Sequence, residues 1–506
     1  MSDGAILTLD IGTSSVRASI YSHRLKALRM EQAPYRWRES GDGRVEIDAV
    51  RLERLVATVI DRALKGWRQP INAVCCASFW HSLLGVDAGY RPVTSLVPWS
   101  DLRAEEESVR LRLAMNERQV HARTGCRFHA SYWPARLTWF RHHQPRVFSR
   151  VRRWVTFGEW IEQRWLGRVG VSVSQASGSG LFDQDRCVWD ARLLAALDVD
   201  REMVAPIVDT DDRTGALGAT LRRRWPALGE AQWIPTLGDG ALNTVGAGCV
   251  TRARAALMIG TSGAERVLWE PRRDERVRQS FGLWRYRLDR RRVIVGGALS
   301  NGGNVREWVM RTLRGGADLE ARAAALPPDS HGLTVLPFLA GTRSPDYVPR
   351  ATGVIAGISM ATRPEEILRA TLESVAYRFA AIDREIRITL NPREIVAAGG
   401  ALEKGRAWAH IVADVLGCPL TVCHERELTS RGAAAVALEQ LGVMKLSELR
   451  PPAGRIIEAD AGRHRIYAVA RARQERVWEQ WRRELARRSD EAGSGRRSLV
   501  GRAASR

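Results

Sequence analysis

Cysteine is scarce and unpatterned. Seven residues (75, 76, 126, 187, 249, 418 and 423) are scattered over 506 positions, and none forms a Cys-x-x-Cys pair. This argues against a disulfide framework and a cysteine-ligated metal site, and predicts reduced packing residues in a cytoplasmic protein. No run of eighteen apolar residues exists, so no membrane span is predicted. The opening MSDGAILTLD runs straight into an apolar strand pattern, without the basic region and apolar core of a secretory signal. Lysine is almost missing. Four of the 78 basic residues are Lys (26, 65, 404 and 445), and the rest are Arg spread along the whole chain. The net charge of +21 therefore predicts salt-sensitive, nonspecific attraction to polyanions and no specific nucleic-acid partner.

What is present is an ordinary globular composition, 45% hydrophobic and 27% charged, in a chain too long for one core. A motif occurs twice in it. Residues 7–16 read LTLDIGTSSV and residues 256–265 read ALMIGTSGAE. The shared Ile-Gly-Thr-Ser stands at 11–14 and 259–262, 248 positions apart and close to half the chain length. Each copy follows an apolar run that reads as a buried strand, with Gly12 and Gly260 where the strand should turn. Such a turn offers backbone N–H groups and two hydroxyls to a phosphate. The pair therefore predicts a duplicated fold gripping one polyphosphate between its halves. Asp10 precedes the first copy and Met258 the second. A carboxylate beside a phosphate implies a metal ion, since it would otherwise repel the ligand.

Each half reads as an α/β series. In the first, strands at 5–10 and 15–21 precede a helix at 49–64 and a strand at 71–79, with Trp-rich helical stretches over 132–166. In the second, helices are predicted at 300–313, 365–386, 407–417 and 431–442, with strands at 394–401 and 419–423. The helix at 431–442 is rich in small residues and suited to close packing. The domain boundary is expected near 246–254. The domains are 1–248 and 249–488, followed by a basic tail, 489–506, whose Gly, Ser and Arg content predicts disorder.

Together these landmarks resemble the FGGY carbohydrate kinases over roughly residues 4–445, and within that family the gluconokinase-like members. The resemblance implies two actin-like ATPase (ribonuclease H-like) domains around a cleft, the first holding the sugar and the second the nucleotide. It implies ATP and Mg2+ as cofactors and transfer of the γ-phosphoryl group to a hydroxyl of a sugar acid or polyol, gluconate first among them. A homodimer is compatible with it. DIGTSS (10–15) resembles the first phosphate loop, with Asp10 acting through Mg2+ and Gly12, Thr13 and Ser14 lining the phosphate path. LGDGALNTVGAGC (237–249) resembles the catalytic segment, with Asp239 as general base; taken alone, Asp239 also reads as a helix N-cap. MIGTSGAER (258–266) resembles the second phosphate loop, assigning Gly260, Thr261 and Ser262 to the β- and γ-phosphates, with Gly303 as a backbone contact. AAGGALEKGRAW (397–408) resembles the nucleotide end, where Gly399 and Gly400 would admit adenine and ribose and Lys404 would reach the nucleotide or solvent.

On the acceptor side, SFWHSLLGVD (78–87) resembles the substrate segment. Trp80 stands where many relatives carry Met, and His81 would donate to a sugar hydroxyl. PWSDLRAEE (98–106) resembles the Trp-x-Asp-x-Arg signature, with Asp101 accepting from hydroxyls and Arg103 able to fork to a carboxylate. Thr342 stands where relatives often have Glu. Alternatives are a kinase for xylulose, ribulose, glycerol or another polyol and, outside the class, a non-kinase actin-like ATPase or a nonspecific polyanion-binding protein.

Overall fold

The computed structural model describes residues 4–503 apart from 214; the side chains of Lys404 and of 489–503 lie outside the described set. The tail expected at 489–506 falls on that part. Two mixed sheets organise the chain. The first contains β1 (Ala5–Ile11), β2 (Ser15–Ser22), β3 (Ala27–Pro34), β4 (Ile71–Ser78) and β5 (Gln232–Gly238), in the order β5-β4-β1-β2-β3. The second contains β6 (Arg254–Ile259), β7 (Gly263–Trp269), β8 (Trp284–Arg287), β9 (Val293–Leu299), β10 (Glu394–Ala398), β11 (Leu420–Cys423) and β12 (Gly454–Ile457), in the order β8-β9-β7-β6-β10-β11-β12. Without its edge strands β8 and β12, the second sheet repeats the first. In each, the opening strand pairs antiparallel with the next and parallel with a later one.

The duplication expected from the repeated motif is therefore present, but the two hairpins close differently. Ile11 pairs with Val16 across residues 12–15, whereas Ile259 pairs with Gly263 across residues 260–262. The second connection is one residue shorter.

The described helices that frame the site are α1 (Ala49–Leu64), α2 (Asp239–Gly246), α3 (Gly303–Thr312), α4 (Pro364–Thr389), α5 (Gly400–Lys404), α6 (Leu428–Gln440) and α7 (Ala461–Ala503). Helix α1 starts where the Asp48 side chain accepts from the Arg51 N–H, and it buries Leu52, Val56, Val59, Ile60 and Ala63 along one stripe. The Trp-rich stretch divides into helices Trp133–His143, Pro145–Phe148 and Phe157–Leu166 around a strand at Arg153–Val155. Pro145 ends the first of these, because the residue before a proline is pushed out of helical geometry.

Helices α2 and α6 join the halves. A Cβ on Gly246 would lie 1.8 Å from the Leu428 carbonyl oxygen, and one on Gly432 would lie 1.9 Å from that of Leu242. Glycine is required at both positions by this contact. Helix α6 also carries Ala433–Leu438 into a core shared with Ile6, Tyr21, Ala73 and Cys75 of the first sheet and with Leu242 and Val245 of α2. A helix encoded late in the chain thus packs on the domain encoded first. Among the described residues, no helix is long and apolar enough to cross a membrane, and all seven cysteines are free thiols.

Candidate active site

Strand register brings the first half of the site together. Ile11 and Gly238 both lie level with Ser78 on the central strand β4. The loops after β1, β4 and β5 therefore leave the sheet side by side at its carboxyl edge, where open α/β sheets bind ligands. Asp10 at the end of β1, Trp80 with His81 after β4, and Asp239 directly after β5 all lie at this edge.

Asp239 is the first residue of α2. The N-cap is Gly238, and no side chain caps this helix, so the capping alternative does not describe it. Its carboxylate accepts from the Gly240 N–H at 2.8 Å and from the Trp80 N–H at 3.4 Å. Burial raises its pKa, opposed by the Gly240 N–H and by the positive charge of Arg266. Asp10 is buried at the end of β1 and accepts from Arg17 Nη1 at 3.2 Å; Arg17 Nε lies 3.3 Å from Glu427. Burial lifts the Asp10 carboxyl to about 7, Arg17 draws it down, and Asp239 and Glu427 add to the rise. The Asp10 and Glu427 carboxylates thus share the Arg17 guanidinium, with the Asp239 charge close enough to bear on Asp10, a donor set suited to a further cation.

Trp80 is accommodated by glycine. A Cβ on Gly238 would lie 2.0 Å from the indole, one on Gly240 2.5 Å, and one on Gly178 2.8 Å. The two glycines flanking Asp239 therefore leave room for Trp80, whose Nε1 donates to the Ser174 carbonyl at 2.9 Å. His81 is corrected in role. Its Nδ1 lies 2.6 Å from the Gly178 carbonyl. A carbonyl only accepts, so Nδ1 carries the proton. Burial lowers the His81 pKa to about 3, so the ring is neutral and Nε2 is an acceptor. His81 can receive a hydroxyl proton's hydrogen bond but cannot donate one there.

Asp101 and Arg103 are also corrected. Arg103 Nε donates to both Asp101 oxygens at 2.9 Å, and its Nη2 donates to Glu46 at 3.0 Å. Asp101 also accepts from the Val45 N–H at 2.7 Å. The Asp101 and Arg103 side chains are 0% and 5% exposed. Their charges are satisfied within the wall of the first domain, which leaves Arg103 no fork for a ligand carboxylate.

In the first phosphate loop, Tyr35 OH donates to the Gly12 carbonyl at 2.6 Å. Trp37 Nε1 donates to the Thr13 carbonyl at 2.6 Å, and Trp99 Nε1 to Thr13 Oγ1 at 3.2 Å. These bonds hold the loop while Ser14 stays exposed. In the second loop Thr261 is exposed, and the Gly260 N–H donates to the Ser262 carbonyl at 2.9 Å. The Gly303 N–H is spent on the Gly260 carbonyl at 2.7 Å, so it is not free for a phosphate. A Cβ on Gly302 or Gly303 would come within 2.8 Å of this loop, and the bare backbone lets α3 start against it.

Met258 pairs with Ala398, so Gly399 emerges beside the second loop. Gly399 has φ 114°, and a Cβ there would lie 2.3 Å from the Ile259 carbonyl; only glycine fits. Gly400 faces open space. The Lys404 side chain lies outside the described residues.

Sequence reasoning missed four contributors: Arg136, Glu427, Arg266 and Arg343. Arg136 is buried and donates to the His81 and Ala130 carbonyls at 2.5 and 2.9 Å, and also to the Pro98 carbonyl, tying three site loops together. Arg266 follows Glu265 inside the otherwise apolar strand β7, and two charged residues in a buried strand were the available signal. Nothing local marked Arg343, Arg136 or Glu427.

The site lies where two duplicated domains meet, with a half-buried carboxylate, two Gly-Thr-Ser turns and a glycine-lined strand end. That defines a two-domain phosphotransferase of the actin-like ATPase fold. The model for the N-terminal domain of the FGGY family of carbohydrate kinases matches residues 5–246, and that for its C-terminal domain matches residues 255–440. The chain belongs to this family, whose kinases use ATP and phosphorylate an alcohol group. It is 24% identical to a gluconokinase of Bacillus licheniformis over 86% of this chain and 88% of the relative. Among solved structures, a gluconate kinase from Lactobacillus acidophilus superposes with a TM-score of 0.89 at 23% identity, over 95% of this chain and 98% of its own. A xylulose kinase from the same organism superposes with 0.88 at 23% identity, over 94% and 98%. These two structures bear on the fold alone.

Proposed function

We propose that this kinase transfers the γ-phosphoryl group of ATP to a hydroxyl of a sugar acid, with gluconate as the acceptor. The observation that carries the chemistry is Asp239. It stands at the carboxyl edge of the first sheet, held by two backbone N–H groups, and its burial raises its basicity above that of an ordinary carboxylate. In this reading Asp239 orients the acceptor hydroxyl and takes its proton as the oxygen attacks phosphorus and ADP departs. Thr13, Ser14, Thr261 and Ser262 line the phosphoryl path with hydroxyls. Gly399 and Gly400 keep the nucleotide edge free of side chains.

Asp10, with Glu427 beyond Arg17, would hold Mg2+ directly or through water. The bound ion would neutralise phosphate charge. Trp80 positions the Asp239 loop, and neutral His81 offers Nε2 to a sugar hydroxyl. The gluconate reading is supported by the His-Ser-Leu-Leu sequence at 81–84 and by the gluconokinase relatives. The test is ADP release with gluconate, xylulose, ribulose and glycerol. Gluconate should have the highest kcat/KM, and carboxylate-free acceptors outperforming it would overturn that assignment. Asp239→Asn should lower kcat by roughly 10²- to 10⁴-fold while retaining ADP binding; undiminished turnover would remove Asp239 from its role.

A further inference from the structure

Among the described residues, two guanidinium groups of the site, those of Arg266 and Arg343, form no hydrogen bond. Arg266 projects from β7 towards the start of α2, where a Cβ on Gly240 would lie 3.2 Å from its Nε. Its Nε and Nη1 are buried and make no hydrogen bond. Arg343 lies with its guanidinium carbon 4.8 Å from the centre of the Trp99 ring, and its Nε is likewise buried without a partner. Among the described residues, neither side chain forms an ion pair.

Both are held in place by the backbone. Arg266 stands opposite Gly296 on β9, whose missing side chain leaves it room, since a Cβ there would lie 3.1 Å from Arg266 Cγ. The Arg343 loop is fastened by the Ser344 N–H to the Ala298 carbonyl at 3.1 Å and by the Val348 N–H to Thr342 Oγ1 at 2.9 Å. Thr342, one of the departures from the family pattern, therefore pins the loop that presents Arg343.

Their surroundings are those of the acceptor. Arg343 bears electrostatically on His81, His129, Arg266 and Tyr286. Trp80, His81, Tyr132, Trp284 and Tyr286 form one aromatic cluster there, with Trp284 and Tyr286 stacked at 4.2 Å. His129 accepts the Ser131 N–H at Nδ1, which leaves Nε2 as the donor on a neutral ring.

Two guanidiniums near one another, without a hydrogen bond or ion pair and with only the Asp239 charge drawing on Arg266, are costly in a partly dry site. A bound carboxylate removes that cost, and guanidinium matches it bidentately. A neutral polyol leaves the N–H groups unpaired and is rejected for that reason. Arg103, the residue that the family resemblance offered for such a fork, is already paired. We propose that Arg266 and Arg343 are the carboxylate clamp that makes this kinase select a sugar acid. The proposal rests on the sugar-acid reading above and names the residues that enforce it. Because Arg266 comes from the second domain and abuts the first at Gly240, the acceptor carboxylate would also favour closure of the cleft.

The test uses the full chain. Gluconate, xylulose and ADP are titrated calorimetrically into the wild type, Arg266→Gln, Arg343→Gln and Arg343→Lys, and kcat/KM is measured for both acceptors. ADP affinity checks that each variant is folded. Each Gln variant should weaken gluconate binding roughly 10- to 100-fold and reduce the gluconate-to-xylulose preference by a similar factor. Arg343→Lys should recover part of that loss. If the wild type binds gluconate and both Gln variants bind it equally well, the clamp is wrong while the sugar-acid reading stands. If the variants lose gluconate and xylulose turnover equally, with gluconate affinity intact, these arginines serve the phosphoryl group and the clamp is again overturned. A wild type that binds xylulose but no gluconate would instead refute the sugar-acid reading itself.

Discussion

Asp10→Asn should stabilise the ligand-free protein at alkaline pH while destroying Mg2+-dependent turnover. The carboxyl is buried and lifted from 3.8 to about 7. Below the lower value it is protonated in both folded and unfolded chains and costs nothing. As pH rises towards 7 the unfolded chain ionises first, so folding stability falls. Above 7 the full cost is about 4 kcal/mol. Asn carries no charge and avoids this cost. It can still accept from Arg17, and Arg17 keeps its contact with Glu427 at 3.3 Å, so no unpaired cation is left. The stability advantage of the variant should therefore grow by about 2 kcal/mol between pH 5.5 and pH 8. For domains of this size that widens the Tm gap by on the order of 5 °C. Thermal unfolding of both proteins at the two pH values measures it, with and without Mg2+. The ion should raise the Tm of the wild type at pH 8 and leave the variant unmoved. An equal gap at both pH values, or a variant less stable at pH 8, would refute the argument that burial of Asp10 is a cost recovered by a bound cation.

Two further outcomes follow from close packing and tautomer. Gly432→Ala forces a Cβ to within 1.9 Å of the Leu242 carbonyl and should cost about 3 kcal/mol, seen as a lower urea midpoint; an unchanged midpoint would mean that α2 and α6 can separate freely. His81→Gln keeps an acceptor near the Nε2 position. Because His81 is neutral down to about pH 3, the variant should keep the wild-type shape of kcat/KM against pH between about 5 and 8, with the acceptor KM increased roughly tenfold. A changed profile in that range would mean that His81 titrates there, against its burial as a neutral ring.

Elements carried by local pattern were legible. The predicted helix at 49–64 coincides with α1, because a 3.6-residue apolar stripe needs only its own sequence to be recognised. The predicted strand at 394–401 stops early, at Ala398, because Gly399 takes a left-handed φ and Gly400 begins a helix. The site was legible where a motif reports backbone geometry, as at the two Gly-Thr-Ser turns and the glycines around Asp239. It was illegible where a charge's role depends on its partner. Asp101 and Arg103 have the chemistry of a polyol site, yet Glu46 and the Val45 N–H complete their bonding from distant parts of the chain.

The sequence by itself determined the duplicated α/β architecture and the family, because these reside in periodicity and in short motifs. Only the tertiary structure decided that α6 packs on the sheet of the other domain, that the His81 proton is given to the Gly178 carbonyl, and that Arg103 is paired while, among the described residues, Arg266 and Arg343 form no ion pair. Those outcomes depend on which groups meet from positions far apart in the chain. In an Arg-rich chain, a single residue's identity says nothing about whether its charge has already been answered.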